Sequence, residues 1–401
     1  MKKFISLLLA LVLLAGCGCL SEEADTQETD LKALYEEQVT YAMRLFTYYA
    51  TNERNRDWAA RVVDKDSPAW NVILNYDYGW WNAPKKNDLT EEVTENYVQT
   101  GENTFECDYR CLNKLTLSFG NYKAEFDVAY HLCFENMGTE EAPKWMITDW
   151  FCLPSEADRL AAEELNPTLE GMELSAITGR TYRGFVLKIN DPSRVKAGAI
   201  TYFSESGYGW RVNDFAERLG AQAVINGGAF VDGTNMKNGS VPLGCVITDG
   251  NYRRKNQPYN SECCVLTGFD TDNKMHVGVF SEAEVQELNL RDALAFQSGL
   301  LADGERWQIP DVKRSYLYSA RTALGQAPDG SVYFAVIKGR QPDSLGATFD
   351  DMIDLFLELG CVNAGLMDGG HSTCLFLNGQ SVYHAYRYDV SRRLPTVFYV
   401  K

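Results

Sequence analysis

Histidine is scarce in this chain, four in 401 residues, and none stands in a context suited to a catalytic triad. The Gly-x-Ser-x-Gly elbow of serine hydrolases is absent, and no glycine-rich phosphate loop follows a strand in the form that nucleotide binding requires. Basic residues are outnumbered, 38 against 55 acidic ones, for a net charge of −17. Nucleic-acid partners demand a basic face, so this balance argues against them. Long apolar runs are also missing beyond residues 4–14, and a membrane span needs about 20 such residues. What is present is core-forming material: 45% hydrophobic and 12% aromatic residues, in a chain long enough for two domains.

The address is written at the amino end. Met1-Lys2-Lys3 and the apolar run read as an export signal, and Leu14-Ala15-Gly16-Cys17 resembles the lipobox of bacterial lipoproteins. Residues 1–17 are then a signal peptide and Cys17 carries the lipid; the alternative is an uncleaved anchor helix. Either puts the bulk of the chain in the bacterial cell envelope, outside the cytoplasmic membrane, with a lipid anchor at Cys17 in the first case. Residues 18–30 are acidic, polar and without apolar period, which predicts a tether. Eleven cysteines in an exported chain permit disulfides or buried thiols. Cys107 and Cys111 lack the second close Cys or His pair that a zinc site would want. Neither a metal nor a cofactor is expected.

Charge divides the rest unevenly. Residues 19–165 hold 29 acidic and 13 basic side chains, and residues 166–401 hold 26 and 23. In the first part, apolar positions from Leu31 to Tyr49 follow a helical stripe behind Asp30 as cap. Strand-like runs follow at 97–109, 115–119, 122–134 and 145–153. A helix and an antiparallel meander predict an α+β domain over 31–160, similar in element order to cystatin-like or nuclear-transport-factor-like curved sheets. Trp70, Tyr76, Tyr78, Trp80 and Trp81 either stack on sugar rings or pack in the core. A linker over 161–180 leads to the second domain, 181–401.

There the pattern is strand 183–189, strand 199–203, helix 212–219 stopped by Gly220, and strand 221–225 ending at Asn226-Gly227-Gly228. The run 332–337 is a second buried strand, with Arg340 just beyond it. Thr348 caps a helix that ends at Gly360, and 361–367 is a strand delivering Asp368-Gly369-Gly370-His371-Ser372-Thr373 before the strand 374–377. Helix, Leu-Gly, apolar strand, polar residue and Gly-Gly thus occur twice. The two loops are expected to open on the same side of a sheet and build one site.

These residues resemble a known family. Arg321-Thr322-Ala323-Leu324-Gly325, Gly339-Arg340 with Ser344 and Gly346, Leu359-Gly360, Asp368-Gly369-Gly370 with Ser372-Thr373, Asn226-Gly227-Gly228-Ala229-Phe230 and Gln297-Ser298-Gly299-Leu300-Leu301 are similar to motifs of the phosphodiester glycosidases. The resemblance runs over about residues 180–400 and implies a mixed α/β phosphodiester glycosidase domain. It further implies hydrolysis of the bond between a sugar and a phosphodiester, in a surface or exogenous glycan. Arg321 and Arg340 suit the phosphate, and Asp368 acts as nucleophile or base or orients a sugar hydroxyl. Asn226, Gly227, Gly228, Gly369, Gly370, His371, Ser372 and Thr373 are the expected substrate-binding set. Asp249, Asp343 and Asp350 are candidates for a second carboxylate, and Asp343 is also a possible partner for Arg340. Two positions depart from the family pattern: Lys338 stands where an acidic residue is expected, and His371 replaces a third glycine. They motivate a rival expectation, a non-catalytic surface glycan-binding lipoprotein on a degenerate hydrolase fold.

Overall fold

The computed structural model describes residues 19–49, 56–75, 84–117, 123–231, 238–254, 264–309, 316–385 and 391–401. Cys17 and its signal segment, Tyr76, Tyr78, Trp80, Trp81 and Cys263 lie outside the described residues.

The first helix is Cys19–Tyr49. It begins well before Asp30 and takes in most of the stretch expected to be a tether. Glu28 accepts a 2.6 Å hydrogen bond from the backbone of Asn96, so the acidic turn is tied to the neighbouring strand. Val39, Ala42, Met43 and Phe46 form the buried stripe, packed on a four-stranded antiparallel meander of Pro84–Gly101, Thr104–Leu117, Lys123–Asn136 and Trp145–Cys152. Two predicted strand limits are corrected. Residues 97–109 span a hairpin turn just after Gly101, and 115–117 finish the second strand. The cause is irregular pleating: the first strand shifts register between Thr90 and Val93 and between Glu95 and Val98, with Glu91 and Asn96 in left-handed backbone. Each bulge flips the alternation that sequence periodicity relies on. Trp70 packs against this core.

The stretch expected as a linker is structured instead. It holds the end of the helix Glu156–Leu165, a turn over Asn166–Thr168 and the strand Met172–Thr178. That strand edges a seven-stranded antiparallel sheet ordered Glu305–Arg306, Gly299–Ala302, Asn363–Leu366, Arg321–Gln326, Val332–Ile337, Arg183–Ile189 and Met172–Thr178. A five-stranded sheet runs Gln380–His384, Cys374–Leu377, Ala223–Asn226, Thr396–Val400 and Val195–Ala199. Another runs Asn251–Arg254, Val246–Thr248, Leu290–Phe296, Val265–Asp270 and Met275–Gly278. One apolar core draws Leu187, Ile225, Phe269, Leu294, Phe334 and Phe398 from all three sheets. Helices Val212–Leu219 and Phe349–Glu358 cover outer faces. Few helices and several antiparallel sheets make the whole an α+β protein. The expected strand 199–203 is displaced to Val195–Ala199, and it pairs with Thr396–Val400 rather than Arg183–Ile189.

Residues 338–346 lie where the two halves meet. Tyr130 donates to the carbonyl of Pro342, and Leu345 is buried in the first domain's core. Arg183 is 1% exposed and donates to the carbonyls of Asp127 and Leu153. Lys338 Nζ reaches both carboxylate oxygens of Asp158, at 2.7 and 2.8 Å. Lys338 therefore has a local reason to be basic: its partner is an aspartate of the Glu156–Leu165 helix. No helix among the described residues is long and apolar enough to cross a membrane.

Candidate functional site

The two Gly-Gly loops meet, though they spring from different sheets rather than one side of the same sheet. Leu219-Gly220 and Leu359-Gly360 end their helices in the same way, with Gly220 at φ 62° and Gly360 at φ 74°, a left-handed stop that glycine favours. Beyond the strands that follow, Asp368 donates its backbone N–H to the carbonyl of Gly227 at 3.0 Å. Asn226 Nδ2 donates to the carbonyl of Asp368 at 2.6 Å. Asn226 Oδ1 accepts from Thr322 Oγ1 at 2.7 Å and from the Cys374 backbone at 3.2 Å. With no exposed surface, Asn226 is a strut between loops instead of a group that touches a ligand. Gly227 and Gly228 serve close packing: a Cβ at Gly228 would stand 2.2 Å from the Ala295 carbonyl oxygen.

Three arginines converge on the Asp368 loop. Arg321, at the start of its strand, donates Nε to the Ala347 carbonyl at 2.8 Å and lies over the Phe349 ring at 4.6 Å. Its Cδ and Nη1 are 3.8 Å from where a Gly369 side chain would begin. Arg340 leaves the strand Val332–Ile337 in left-handed backbone, φ 61°, and reaches across to His371, Nη1 to Nδ1, at 2.8 Å. Both its terminal nitrogens are 3.1 Å from the Cβ position of Gly370, itself at φ 56°. Arg392 Nη1 donates to Ser372 Oγ at 3.1 Å, over the ring of Phe230. Sequence reasoning missed Arg392. Its signal was the pair Arg392-Arg393 just before the last strand, with no motif around it.

Burial, and then the field of Arg340, push the His371 imidazole down to about 2. It stays neutral at ordinary pH. Because a guanidinium only donates, Nδ1 accepts and the ring proton sits on Nε2. His371 thus orients Arg340, and it is poorly suited to shuttle protons. Burial also pushes Arg392 down to about 10, still cationic at neutral pH. Asp368 Oδ1 accepts from the Gly369 N–H at 2.9 Å, which fixes the carboxylate against its own loop. Thr373 and Ser372 are buried in the same turn.

The three candidate second carboxylates are placed elsewhere. Asp343 is buried between Lys338 and Arg183, each 3.9 Å away. Burial raises its pKa against the pull of those two cations. Asp249 sits in a hairpin turn near Lys196, and Asp350 on the helix pairs with Arg306. Cys107, Cys111, Cys152, Cys361 and Cys374 are buried free thiols, not bridges.

Comparison with known proteins then bears on the convergence of the loops. Residues 219–401 match the phosphodiester glycosidase family. The match spans both Gly-Gly loops and all three arginines, and begins later than the expected start near residue 180. The SPbeta prophage-derived uncharacterized protein YomE of Bacillus subtilis (strain 168) is 27% identical over 332 residues, 80% of this chain and 43% of that protein. The chain thus spans less than half the length of this curated relative. Among solved structures, the zebrafish N-acetylglucosamine-1-phosphodiester alpha-N-acetylglucosaminidase (NAGPA) catalytic domain, auto-inhibited by its pro-peptide, is similar at 22% identity. That alignment covers 57% of this chain and 81% of the other, with a TM-score of 0.46. A hypothetical protein from Synechocystis aligns over 79% and 81%, at 12% identity and a TM-score of 0.49.

Proposed function

We propose that the chain hydrolyses the glycosidic bond of a sugar-1-phosphodiester at the bacterial cell surface, held there by a lipid on Cys17. The family match over 219–401 supports a glycosidase-type activity. The observation that carries the finer reading is the convergence of Arg321, Arg340 and Arg392 on one carboxylate-bearing loop. A phosphodiester brings a fixed negative charge, and planar guanidiniums match its oxygens. Its phosphate is a weakly basic leaving group, so strong general-acid help is less necessary than in ordinary glycosidases. A neutral His371 is compatible with such chemistry. Asp368 then acts at or near the anomeric carbon, with the ordered Gly369-Gly370 backbone beside it.

The departures that motivated a non-catalytic binding protein have local accounts. Lys338 pairs with Asp158, and His371 supports Arg340.

The test is release of free sugar from UDP-N-acetylglucosamine and a panel of synthetic sugar-1-phosphodiesters. Wild-type turnover is expected, with losses of at least about 100-fold in Asp368→Ala and Arg321→Ala while circular dichroism shows each variant folded. Glycan binding without turnover by the wild type would overturn the proposal.

A further inference from the structure

The outer face of the amino-terminal meander carries a cluster that the glycosidase reading does not use. Strands Thr104–Leu117 and Lys123–Asn136 pair Glu106 with Cys133 and Asp108 with His131. Residues two apart on a strand share a face, so these four side chains form a square on the side opposite the long helix. The alternate residues Phe105, Cys107, Tyr109, Leu132 and Phe134 point into the core.

The imidazole of His131 is held from one side and presented on the other. Its Nδ1 is 2.7 Å from Asp108 Oδ1, and Asp108 Oδ2 accepts from Asn96 Nδ2 at 2.8 Å. Its Nε2 then faces Glu106 Oε2 at 3.4 Å. Glu106, His131 and Cys133 each offer one ligand atom, and the three atoms all lie within 4.8 Å of one another. A carboxylate holding the far nitrogen of a histidine is the arrangement that fixes tautomer and ring orientation at metal centres.

We propose that Glu106, His131 and Cys133 bind one divalent metal ion of the zinc type, with Asp108 as the group that orients His131. One oxygen, one nitrogen and one sulfur make a borderline-soft donor set, which suits zinc and not calcium or magnesium. The side chains of His131 and Glu106 are 31% and 36% exposed, so a fourth position opens to solvent, where water completes a tetrahedron. Neighbouring cations are directed elsewhere: Arg110 pairs with Glu95, and Arg180 pairs with Asp149, the residue opposite Cys133 on the next strand. The Asp108 hydrogen bond holds the His131 imidazole protonated in the metal-free chain, so binding releases two protons to solvent, one from His131 Nε2 and one from the Cys133 thiol, which becomes a thiolate.

Cobalt(II) is the probe, because a thiolate ligand gives it a charge-transfer band and a tetrahedral site gives visible absorption. The metal-free full chain should take up one equivalent of cobalt with both signals, and zinc should displace it. The sulfur band should vanish in Cys133→Ser and persist in Cys264→Ser. Asp108→Asn keeps all three ligands and should weaken binding by about 10- to 100-fold. Zinc should also slow alkylation of Cys133 in the wild type, read by peptide mass, which needs no variant to fold. Absence of the band at millimolar cobalt, or its survival in Cys133→Ser, would overturn the proposal and leave an ion-paired histidine.

Discussion

Arg340 and His371 form a pair in which each explains an oddity of the other. The arginine adopts left-handed backbone, uncommon for a residue with a side chain, and this aims its guanidinium at the imidazole. The histidine occupies a loop position where the resemblance leads one to expect glycine, and there it accepts from that guanidinium. The pairing has a pH signature. An unfolded imidazole protonates near pH 6.5, whereas the folded one stays neutral down to about 2. Between these values the unfolded chain holds more protons, so stability is full above pH 6.5 and declines as pH falls. The slope approaches about 1.4 kcal/mol per unit. His371→Gln keeps an acceptor for Arg340 and removes the titration. Unfolding free energies from denaturant titration at pH 7.5 and 5.5 should diverge by about 1 kcal/mol less in the variant than in the wild type, and an equal divergence would refute the assignment. At this scale the sequence was legible where motifs cluster. That Asp368, Arg321 and Arg340 lie close together was legible in advance, while the strut position of Asn226 was not. Nothing in Asn-Gly-Gly says whether the amide faces a ligand or Thr322 and Cys374.

Elements were legible where one face, or both, is plainly apolar. Strands 183–189, 332–337 and 374–377 stand at their expected limits. The Thr348 cap is present, reciprocated by Asp351 in a capping box. Elements that bend escaped. The stretch around Gln297-Ser298, noted in the sequence only as a motif, is a break between Leu290–Phe296 and Gly299–Ala302, which join different sheets. The strand Pro84–Gly101 was invisible for most of its length because bulges scramble its alternation. The Lys338–Asp158 bridge is an inter-element contact of the same illegible kind, 180 residues apart in sequence. Both side chains are 14% exposed, so breaking the pair strands a charge. Lys338→Glu, which supplies the acidic residue expected from the family, should destabilise the protein by about 3 kcal/mol. The change is measured by chemical denaturation, and a charge-reversed partner, Asp158→Lys, should recover part of it. A neutral single variant would mean the bridge is solvated and idle.

For the whole molecule, the notable joint is the one between the domains. The segment that bears Arg340 is gripped from the first domain by Tyr130 and seats Leu345 in that domain's core, while Arg183 of the adjoining strand reaches back to the first-domain carbonyls of Asp127 and Leu153. The amino-terminal half therefore belongs to the architecture of the site, even though no residue of it touches the Asp368 loop among the contacts described. Composition alone separated the two halves by charge, and could not show that they share a seam.

The strut at Asn226 has a temporal consequence. Its three ties reach residues 96, 142 and 148 positions away, and none can form until the intervening chain has been threaded into its sheets. Closing loops of that span is slow. The meeting of the two Gly-Gly loops should therefore be the last thing to mature in refolding, after the locally capped Phe349–Glu358 helix. Stopped-flow circular dichroism should run ahead of recovered turnover, and simultaneous recovery of both would show that the strut forms early. Until that moment a chain with nearly complete secondary structure would be inert.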